Sequence, residues 1–266
     1  MSYLNDVILG VIEGITEFLP ISSTGHLLLA QHWLGARSDT YNIVIQAGAI
    51  LAVTLIYRRR LADLATGWRD PGSRDYLAKL LTAFVITAVL GVVVKKAGFQ
   101  LPETVTPIAW ALVIGGVWMI LAERFAARLP DSAAITWRVA VAVGVAQVVA
   151  GVFPGTSRSA ATIFAAMLLG TSNRAAATEF AFLVGIPTMY AASAYELLDR
   201  MRGGGAAAPE DWTALGIAFV VSTVTAFVSV KWLLGYIQTN RFTIFAVYRI
   251  IFGGLLLALG WYGVVS

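Results

Sequence analysis

Apolar residues fill most of this chain in runs long enough, or nearly long enough, to cross a membrane. A hydrocarbon core about 30 Å thick needs about 20 residues of helix. Continuous apolar runs lie near residues 43–57, 78–94, 107–123, 178–198, 213–235 and 243–264. We therefore predict six membrane-spanning helices in an all-α polytopic membrane protein. The composition agrees, because 58% of the residues are hydrophobic and only 13% are charged, which excludes an ordinary soluble domain.

Two further apolar segments are interrupted by helix-breaking residues. Pro20 divides the segment 3–36, and Pro154 with Gly155 divides the segment 139–170. Each half is too short to span the bilayer, so each segment is predicted to form a helix–break–helix hairpin that enters and leaves on the same side. Broken backbone is tolerated at membrane depth only where protein or a water-filled cavity satisfies its amides.

An internal repeat divides the chain into two halves. A shift of 134 residues aligns identical residues at five pairs of positions: Gly10 with Gly144, Val11 with Val145, Pro20 with Pro154, Ser23 with Ser157 and Leu34 with Leu168. The same shift places Glu13 on Gln147. We predict a single domain, 1–266, in which repeat 1 (about 1–130) and repeat 2 (about 131–266) are each a re-entrant hairpin plus three transmembrane helices. Three is odd, so the halves are expected to have inverted topology, with the site at the midplane.

Basic residues are concentrated in one set of loops and the helix ends beside them. This set comprises Arg58, Arg59, Arg60, Arg69, Arg74, Lys79, Arg124, Arg128, Arg138, Arg174 and Arg241. The opposite loops hold fewer. Because loops rich in Lys and Arg stay in the cytoplasm, both termini and the mouth of the first hairpin are expected to face outward. The same rule accounts for the net charge of +4 without a nucleic-acid partner.

The first broken segment carries polar residues from Glu13 to His26. A charged side chain at the bilayer centre costs roughly 2.5–3.5 kcal/mol, so buried charges there need a compensating role. Glu13 and Glu17 are four residues apart and lie about 5–6 Å from each other on a helix. Two carboxylates at that distance repel unless a proton or cation separates them. Mg²⁺ or Ca²⁺ prefers such oxygen ligands and often shares them with a phosphate.

The end of the first polar stretch combines a hydroxyl with an imidazole. Pro20 stops one helix, Ser22 or Ser23 is placed to cap the next, and His26 falls within its first turn. This spacing brings a candidate nucleophile and a candidate base to one helix N-terminus.

The second polar stretch, 151–162, supplies positive charge. After the break, Thr156, Ser157, Arg158 and Ser159 open a new half-helix, whose free N–H groups and dipole favour an anion. A guanidinium there is suited to bidentate phosphate binding. The alternative is that Arg158 is a structural counter-ion for Glu13 or Glu17. Two weaker candidates are Gln46 and Arg249, as site neighbours or as packing residues.

At this point the residues resemble a known family. Residues 13–26, with the pattern E-x-x-x-E-F-L-P-I-S-S-T-G-H, are similar to the first signature of the bacterial undecaprenyl-diphosphate phosphatases of the bacitracin-resistance type. Residues 154–162 (PGTSRSAAT) resemble the second signature, and residues 44–48 (VIQAG) a further conserved stretch. The resemblance covers nearly the whole chain. One departure is Ala160, where many relatives carry glycine.

The resemblance implies a specific activity and location. Members of that family are integral membrane hydrolases of the bacterial inner membrane that convert undecaprenyl diphosphate to undecaprenyl phosphate and inorganic phosphate. They recycle the lipid carrier for peptidoglycan synthesis and confer bacitracin resistance. They use a divalent metal, and their active sites face the periplasm. The expected partners are therefore a polyprenyl diphosphate and membrane lipids, with a homodimer as a candidate assembly.

Residue by residue, the resemblance assigns roles to both polar stretches. Glu13 and Glu17 would bind Mg²⁺ or Ca²⁺ or assist proton transfer, and Arg158 would hold the diphosphate. The residues expected to help it are Ser157, Ser159, Thr162 and Thr24. Ser23 is favoured as the nucleophile, with His26 or Glu17 moving protons. Attack by His26, or by a water that His26 orients, stays open.

Two other classes of function compete with hydrolysis. Inverted repeats with broken helices are also a transporter plan, and the same pocket is suited to carry a phosphate-bearing lipid across the bilayer. A dual role, in which the protein hydrolyses the carrier and also returns it inward, is a third hypothesis. A purely structural protein leaves the intramembrane charges unexplained. The Ser–His pair beside two carboxylates favours hydrolysis, because transport needs no such pair.

Overall fold

The computed structural model describes residues 3–98, 104–130, 132–201 and 211–265. In this part of the chain the regular structure is entirely helical. The helices are α1 (Tyr3–Thr16), α2 (Ser23–Leu34), α3 (Asp39–Ile56), α4 (Arg58–Thr66), α5 (Pro71–Lys96), α6 (Val105–Ala126), α7 (Trp137–Val152), α8 (Arg158–Leu169), α9 (Arg174–Met201), α10 (Trp212–Thr239) and α11 (Thr243–Trp261).

Six of these helices are long and apolar enough to cross a membrane: α3, α5, α6, α9, α10 and α11. Each contains one of the six apolar runs, so the prediction of a multi-pass helical membrane protein is confirmed. The longest, α9 and α10, have 28 residues each, which corresponds to about 42 Å of helix at 1.5 Å per residue. The short helix α4 carries three consecutive arginines and connects α3 to α5.

The two interrupted segments break where the prolines predict. In the first, α1 ends at Thr16 and α2 begins at Ser23; in the second, α7 ends at Val152 and α8 begins at Arg158. The four half-helices have 14, 12, 16 and 12 residues, which is fewer than the 20 that a span requires. Each segment therefore exposes two helix ends and a loop within the helical bundle.

A strained serine stands immediately before each second half-helix. Ser22 has φ 72° and Ser157 has φ 69°, and these are the non-glycine residues with positive φ among those described. Such backbone costs about 1–3 kcal/mol per residue and is concentrated at functional sites. The loop after Pro154 has one more residue than the loop after Pro20, so Ser22 rather than Ser23 is the structural counterpart of Ser157. Ser23 and Arg158 then occupy equivalent first positions of α2 and α8.

Close helix contacts hold the half-helices deep in the bundle. A Cβ on Gly10 of α1 would lie 2.7 Å from the carbonyl oxygen of Ala218 in α10. In the other half, a Cβ on Gly144 of α7 would lie 2.8 Å from the carbonyl oxygen of Ala83 in α5. The Thr87 hydroxyl adds a hydrogen bond of 3.0 Å to the Gly144 carbonyl. The glycines let α1 and α7 approach their neighbours at backbone distance, which places the polar side chains of both helices inside the protein.

Buried ion pairs fasten helix ends on both faces of the bundle. Asp6 of α1 binds Arg37 at 2.8 Å and accepts a hydrogen bond from the Tyr41 hydroxyl. Glu123 of α6 binds Arg174 at 3.1 Å and accepts a hydrogen bond from the backbone N–H of Phe242. Each carboxylate is partnered where it is buried, so these charges have structural roles and are distinct from those of the candidate site.

Candidate functional site

The loops of the two broken segments meet inside the protein. The Ser159 hydroxyl donates a 3.1 Å hydrogen bond to the Leu19 carbonyl, which ties the second loop to the first. Beside this contact lies a polar cavity of about 40 Å³ lined by Glu17, Ser22, Ser23, Thr24, Gln46, Ala150, Gly155, Ser157 and Arg158. The structure therefore brings together residues that the sequence placed in two separate stretches.

Glu17 and Ser23 form the shortest contact in this cavity. The Ser23 hydroxyl donates to a Glu17 carboxylate oxygen at 2.5 Å, and both side chains are buried. Glu17 follows the last turn of α1, and Ser23 is the first residue of α2. The break at Pro20 thus folds a carboxylate directly onto a hydroxyl. A carboxylate in this position is suited to take the hydroxyl proton.

His26 is engaged with partners other than Ser23. Its Nδ1 lies 2.7 Å from the Ser22 carbonyl oxygen and its Nε2 lies 2.6 Å from the Tyr248 hydroxyl. A carbonyl oxygen only accepts, so Nδ1 carries the hydrogen, and Nε2 of the neutral ring accepts from Tyr248. The ring also stacks on Phe252 with centroids 4.3 Å apart. His26 is therefore fixed by these partners outside the lining of the polar cavity, and its ring nitrogens do not bond the Ser23 hydroxyl.

Glu13 is a buried carboxylate whose two oxygens have no hydrogen-bond donor among the described residues. It is 0% exposed, and neither carboxylate oxygen accepts a hydrogen bond from the described residues. Glu17 and Arg158 lie close enough to interact with it electrostatically. A buried carboxylate without a partner is strongly destabilising unless a proton or cation neutralises it. Its oxygens therefore fit a hard cation such as Mg²⁺ or Ca²⁺.

The protein donors for such a cation are few. Within the described residues there is no group of three or more His, Cys, Asp or Glu side chains that could hold a metal. Two carboxylates, Glu13 and Glu17, would contribute, and water, hydroxyls or substrate phosphate would complete the coordination. Mg²⁺ in particular is usually bound by one or two carboxylates together with substrate phosphates. The donor set therefore suits a metal that binds with the substrate.

Arg158 extends into the same cavity without an ion-pair partner among the described residues. Arg158 therefore makes no direct ion pair with Glu13 or Glu17, although its charge acts on Glu13 at longer range. A half-buried guanidinium with free donors is suited to bind the oxygens of a phosphate in bidentate fashion.

The hydroxyls near Arg158 divide into two groups. Thr24 and Ser157 line the cavity, and the Ser157 hydroxyl also caps α8 by accepting from the Ala160 N–H. Ser159 binds the other loop, and the Thr162 hydroxyl donates to the Arg158 carbonyl at 2.7 Å. Ser159 and Thr162 are thus committed to holding the backbone around Arg158. The Ala160 methyl group, the departure from the family pattern, is accommodated in the core.

Arg249 is a site neighbour that fixes the second loop. It is 0% exposed, and its guanidinium donates to the carbonyls of Gly155 at 2.9 Å and Thr156 at 2.8 Å. It also donates to the carbonyl of Ala111 in α6 at 3.1 Å. Arg249 therefore replaces the helical hydrogen bonds that the break removes, and it sets the position of the chain just before Arg158.

Two further residues emerge that motif spacing does not identify. Tyr248 holds His26 across 222 positions of sequence, although a tyrosine in a membrane protein is ordinarily interpreted as an interfacial anchor. Gln147, the repeat counterpart of Glu13, is 4% exposed, and neither of its amide atoms has a partner among the described residues. Its alignment with Glu13 is the one sequence signal that distinguishes it.

An apolar groove of about 570 Å³ lies near the polar cavity, since Ile21 lines the groove and Ser22 lines the cavity. The groove lies between α1, α2, α10 and α11, and His26 and Tyr248 are among its lining residues. Its other lining residues include Ile12, Leu29, Trp33, Trp232, Ile244 and Phe252. An apolar groove beside a small polar cavity fits an amphiphile with a long hydrocarbon chain and a compact charged head.

Comparison with known proteins identifies the family. The profile described as "Bacitracin resistance protein BacA" matches residues 6–255. Proteins named undecaprenyl-diphosphatase from Rhizobium johnstonii and Rhizobium etli are 73% and 71% identical to this chain over 266 residues, which is 100% of each chain. A protein of the same name from Xanthomonas euvesicatoria is 62% identical over 254 residues, 96% of each chain. The chain belongs to the BacA family of bacitracin resistance proteins.

Proposed function

We propose that this chain hydrolyses undecaprenyl diphosphate to undecaprenyl phosphate and inorganic phosphate, as the names of its relatives indicate. The observation that carries the proposal is the 2.5 Å contact between Ser23 and Glu17 in a cavity that Arg158 also lines, with no ion pair to another described residue. A transporter needs a cation to bind its substrate but no hydroxyl held against a carboxylate. The consequences for the cell are recycling of the lipid carrier and bacitracin resistance.

The reaction follows from the positions of three side chains. Ser23 Oγ attacks the terminal phosphorus while Glu17 accepts its proton; the bond to the bridging oxygen breaks, and undecaprenyl phosphate leaves. Water then attacks the phosphoserine, the phosphorus–Oγ bond breaks, and Ser23 regains a proton as inorganic phosphate forms. Arg158 neutralises the charge of the transferred phosphoryl group throughout, which is the main requirement of phosphoryl transfer.

His26 has a different task in this scheme. It lines the apolar groove, and Ser22, whose carbonyl it bonds, lines the polar cavity. Its bonds to the Ser22 carbonyl and the Tyr248 hydroxyl fix the strained loop and the groove edge. We assign it to orient the boundary between groove and cavity, with Glu17 as the base that accepts the Ser23 proton.

Replacement of the nucleophile should separate these roles. Ser23→Ala is expected to lower kcat by about three orders of magnitude or more, whereas His26→Gln is expected to lower it by about a hundredfold. Phosphate release from a polyprenyl diphosphate by purified protein measures both, and acid quenching followed by mass spectrometry detects phosphoserine. Thr66→Ala is the control, because that exposed hydroxyl bonds only within α4. Retention of the wild-type single-turnover rate by Ser23→Ala would transfer the attack to His26 or water.

A divalent metal is proposed to bind Glu13 and Glu17 together with the diphosphate. When bound, it supplies positive charge to the phosphate oxygens. Glu13 is the residue most specifically suited to it, because its two oxygens are buried without partners among the residues that the structure describes. Glu17 would help to hold the metal while it also accepts the hydrogen bond from Ser23.

Chelation and rescue test the metal. EDTA is expected to abolish phosphate release, and added Mg²⁺ or Ca²⁺ to restore it. Glu13→Gln is expected to raise the metal concentration needed for half-maximal rescue by about tenfold or more, which corresponds to about 1.4 kcal/mol. The matched control is Asp63→Asn, since Asp63 is an exposed carboxylate of α4. Full activity of the wild-type protein in excess EDTA would mean that a proton, rather than a metal, neutralises Glu13.

The apolar groove is proposed to hold the first isoprene units of the lipid. Ile21 lines the groove and the next residue, Ser22, lines the cavity that contains Ser23 and Arg158, so a diphosphate bound there is proposed to direct its chain into the groove. The lining is almost entirely apolar, and burial of each CH₂ group contributes about 0.8 kcal/mol.

Narrowing the groove should discriminate between substrates by chain length. Ala30 lines the groove, and Ala30→Trp is expected to raise KM for an undecaprenyl substrate about tenfold while changing KM for a C5 diphosphate less than twofold. Steady-state kinetics with both substrates give this comparison. An equal rise in KM for both would place the effect on the diphosphate site and remove the groove from substrate binding.

The inverted repeat is proposed from the directions of the helices. Contacts between α6 and α11 are antiparallel, because Gly116 meets the Ala246 carbonyl while Gly253 meets the Ala109 carbonyl. These two helices are the last spans of repeat 1 and repeat 2. Antiparallel contact between equivalent helices is what a two-fold axis in the membrane plane produces. With the arginine-rich loops in the cytoplasm, the first hairpin opens to the periplasm and both termini lie outside.

Single-cysteine labelling tests orientation and inversion together. The chain has no native cysteine, so Ala36→Cys and Ser172→Cys each give one thiol, after α2 and α8 respectively. An impermeant thiol reagent added to intact cells is expected to label Ala36→Cys and to label Ser172→Cys only after permeabilisation. Labelling of both from the same side would contradict the inverted repeat, and exchanged sides would reverse the orientation.

A further inference from the structure

A second cavity lies on the other side of Arg158. It has a volume of about 350 Å³ and is enclosed by α5, α7 and α9. Along α5 it extends from Thr87 past Gly91 to Lys95, which is about 12 Å at 1.5 Å per residue. Lys95 stands next to the C-terminal end of α5, so the cavity runs from the centre of the protein towards that face. Among its lining residues are two cations, Lys95 and Arg158, and no carboxylate.

Gln147 lies in the buried part of this cavity, and its amide has no hydrogen-bond partner among the described residues. The side chain lines the cavity, is 4% exposed, and has no partner for either amide atom among the described residues. A buried polar group left without partners costs about 1–3 kcal/mol. The amide offers a donor and an acceptor beside the free donors of Arg158. A ligand that satisfies all of them is an anion carrying both bare and protonated oxygens.

Inorganic phosphate at neutral pH has this chemistry. Its unprotonated oxygens accept from the Gln147 amide and the Arg158 guanidinium, and its P–OH group donates to the Gln147 carbonyl. Lys95 continues the positive potential towards the cavity mouth, where its ammonium donates to the Tyr195 hydroxyl at 2.9 Å. The apolar groove, in contrast, has no Lys or Arg among its lining residues.

We propose that the cavity between α5, α7 and α9 binds inorganic phosphate and is its exit path from the Ser23 site. Arg158 lines both the 40 Å³ cavity and this one. Phosphate bound to Arg158 can therefore move from the first cavity into the second, where Gln147 binds it next. The lipid product leaves through the groove between α1, α2, α10 and α11, so the two products take separate routes. The proposal rests on the proposed hydrolysis for the source of the phosphate, while the binding of phosphate is independent of it.

Thiol chemistry in this cysteine-free chain tests the path directly. A Cβ on Gly91 would meet no heavy atom within 4 Å, so Gly91→Cys places a thiol in the cavity without displacing a neighbour. Val89→Cys is the matched control, because Val89 is 56% exposed on the same helix and does not line the cavity. In purified protein, a negatively charged methanethiosulfonate is expected to react at least about tenfold faster with Gly91→Cys than with Val89→Cys. Millimolar inorganic phosphate is expected to slow only the Gly91→Cys reaction, relative to chloride at equal ionic strength.

Gln147→Leu in the Gly91→Cys background identifies the binding residue. This change removes both amide atoms and is expected to raise the phosphate concentration needed for half-protection at least about tenfold. Gln238→Leu is the control, since that exposed amide bonds only the Leu234 carbonyl of its own helix. Modification of Gly91→Cys is further expected to lower steady-state turnover about tenfold by obstructing release.

The outcomes separate the two proposals. Absence of phosphate protection, or unchanged protection in Gln147→Leu, would overturn the binding site. Full turnover of the completely modified Gly91→Cys protein would overturn the exit path. A wild-type protein that releases no phosphate from a polyprenyl diphosphate, yet shows protection that depends on Gln147, would overturn the proposed hydrolysis and leave the anion site standing.

Discussion

The hydrogen bonds from Arg249 to the loop before α8 are the contact on which the site depends. A helix interrupted at membrane depth leaves carbonyl groups that lipid cannot satisfy, and each one costs several kcal/mol. The Arg249 guanidinium answers this need by binding the carbonyls of Gly155 and Thr156 from α11. The same guanidinium also donates to the Ala111 carbonyl, so it links the loop to α6. The buried Arg249 thus offsets the cost of breaking the helix, and the broken helix in turn places Arg158 in the lining of the cavity.

The two halves of the chain contribute complementary chemistry at equivalent positions. The first residue of α2 is Ser23, whereas the first residue of α8 is Arg158. Near the end of each preceding half-helix stands Glu13 in the first half and Gln147 in the second, and both are buried without hydrogen-bond partners among the described residues. One half therefore provides an acceptor and a hydroxyl, and the other provides a guanidinium and an amide. In the proposed inverted repeat, the two halves thus contribute opposite charges.

Much of this arrangement could be predicted from the sequence, because it depends on local signals. The six spans follow from run length, the two breaks from Pro20 and Pro154, and the juxtaposition of the polar stretches from the cost of burying their charges separately. The bond from Tyr248 to His26, and the bonds from Arg249 to the loop before Arg158, could not be predicted in the same way. Tyr248 and Arg249 are single polar residues in an apolar helix, and no periodicity connects them to loops some 90 to 220 positions away.

The exact alignment of the two halves could not be found by comparing the sequence with itself at one fixed shift. A uniform shift aligns Ser23 with Ser157, but the extra residue after Pro154 moves the structural match to Ser22. The backbone conformation that Ser22 and Ser157 share, with φ near 70° in both, reveals this correspondence only in three dimensions.

The apolar groove between α1, α2, α10 and α11 has a consequence for inhibition. A compound that fills it needs no charge, because its lining residues include no Lys, Arg, Asp or Glu. Such a compound first partitions into the bilayer, so the concentration that governs occupancy is the one in the lipid phase. Potency in cells would then depend on lipophilicity as well as on shape complementarity to the groove. A compound with low affinity measured in water would still occupy the groove at its higher concentration in the membrane. The phosphate mimics that suit the polar cavity would follow the opposite rule.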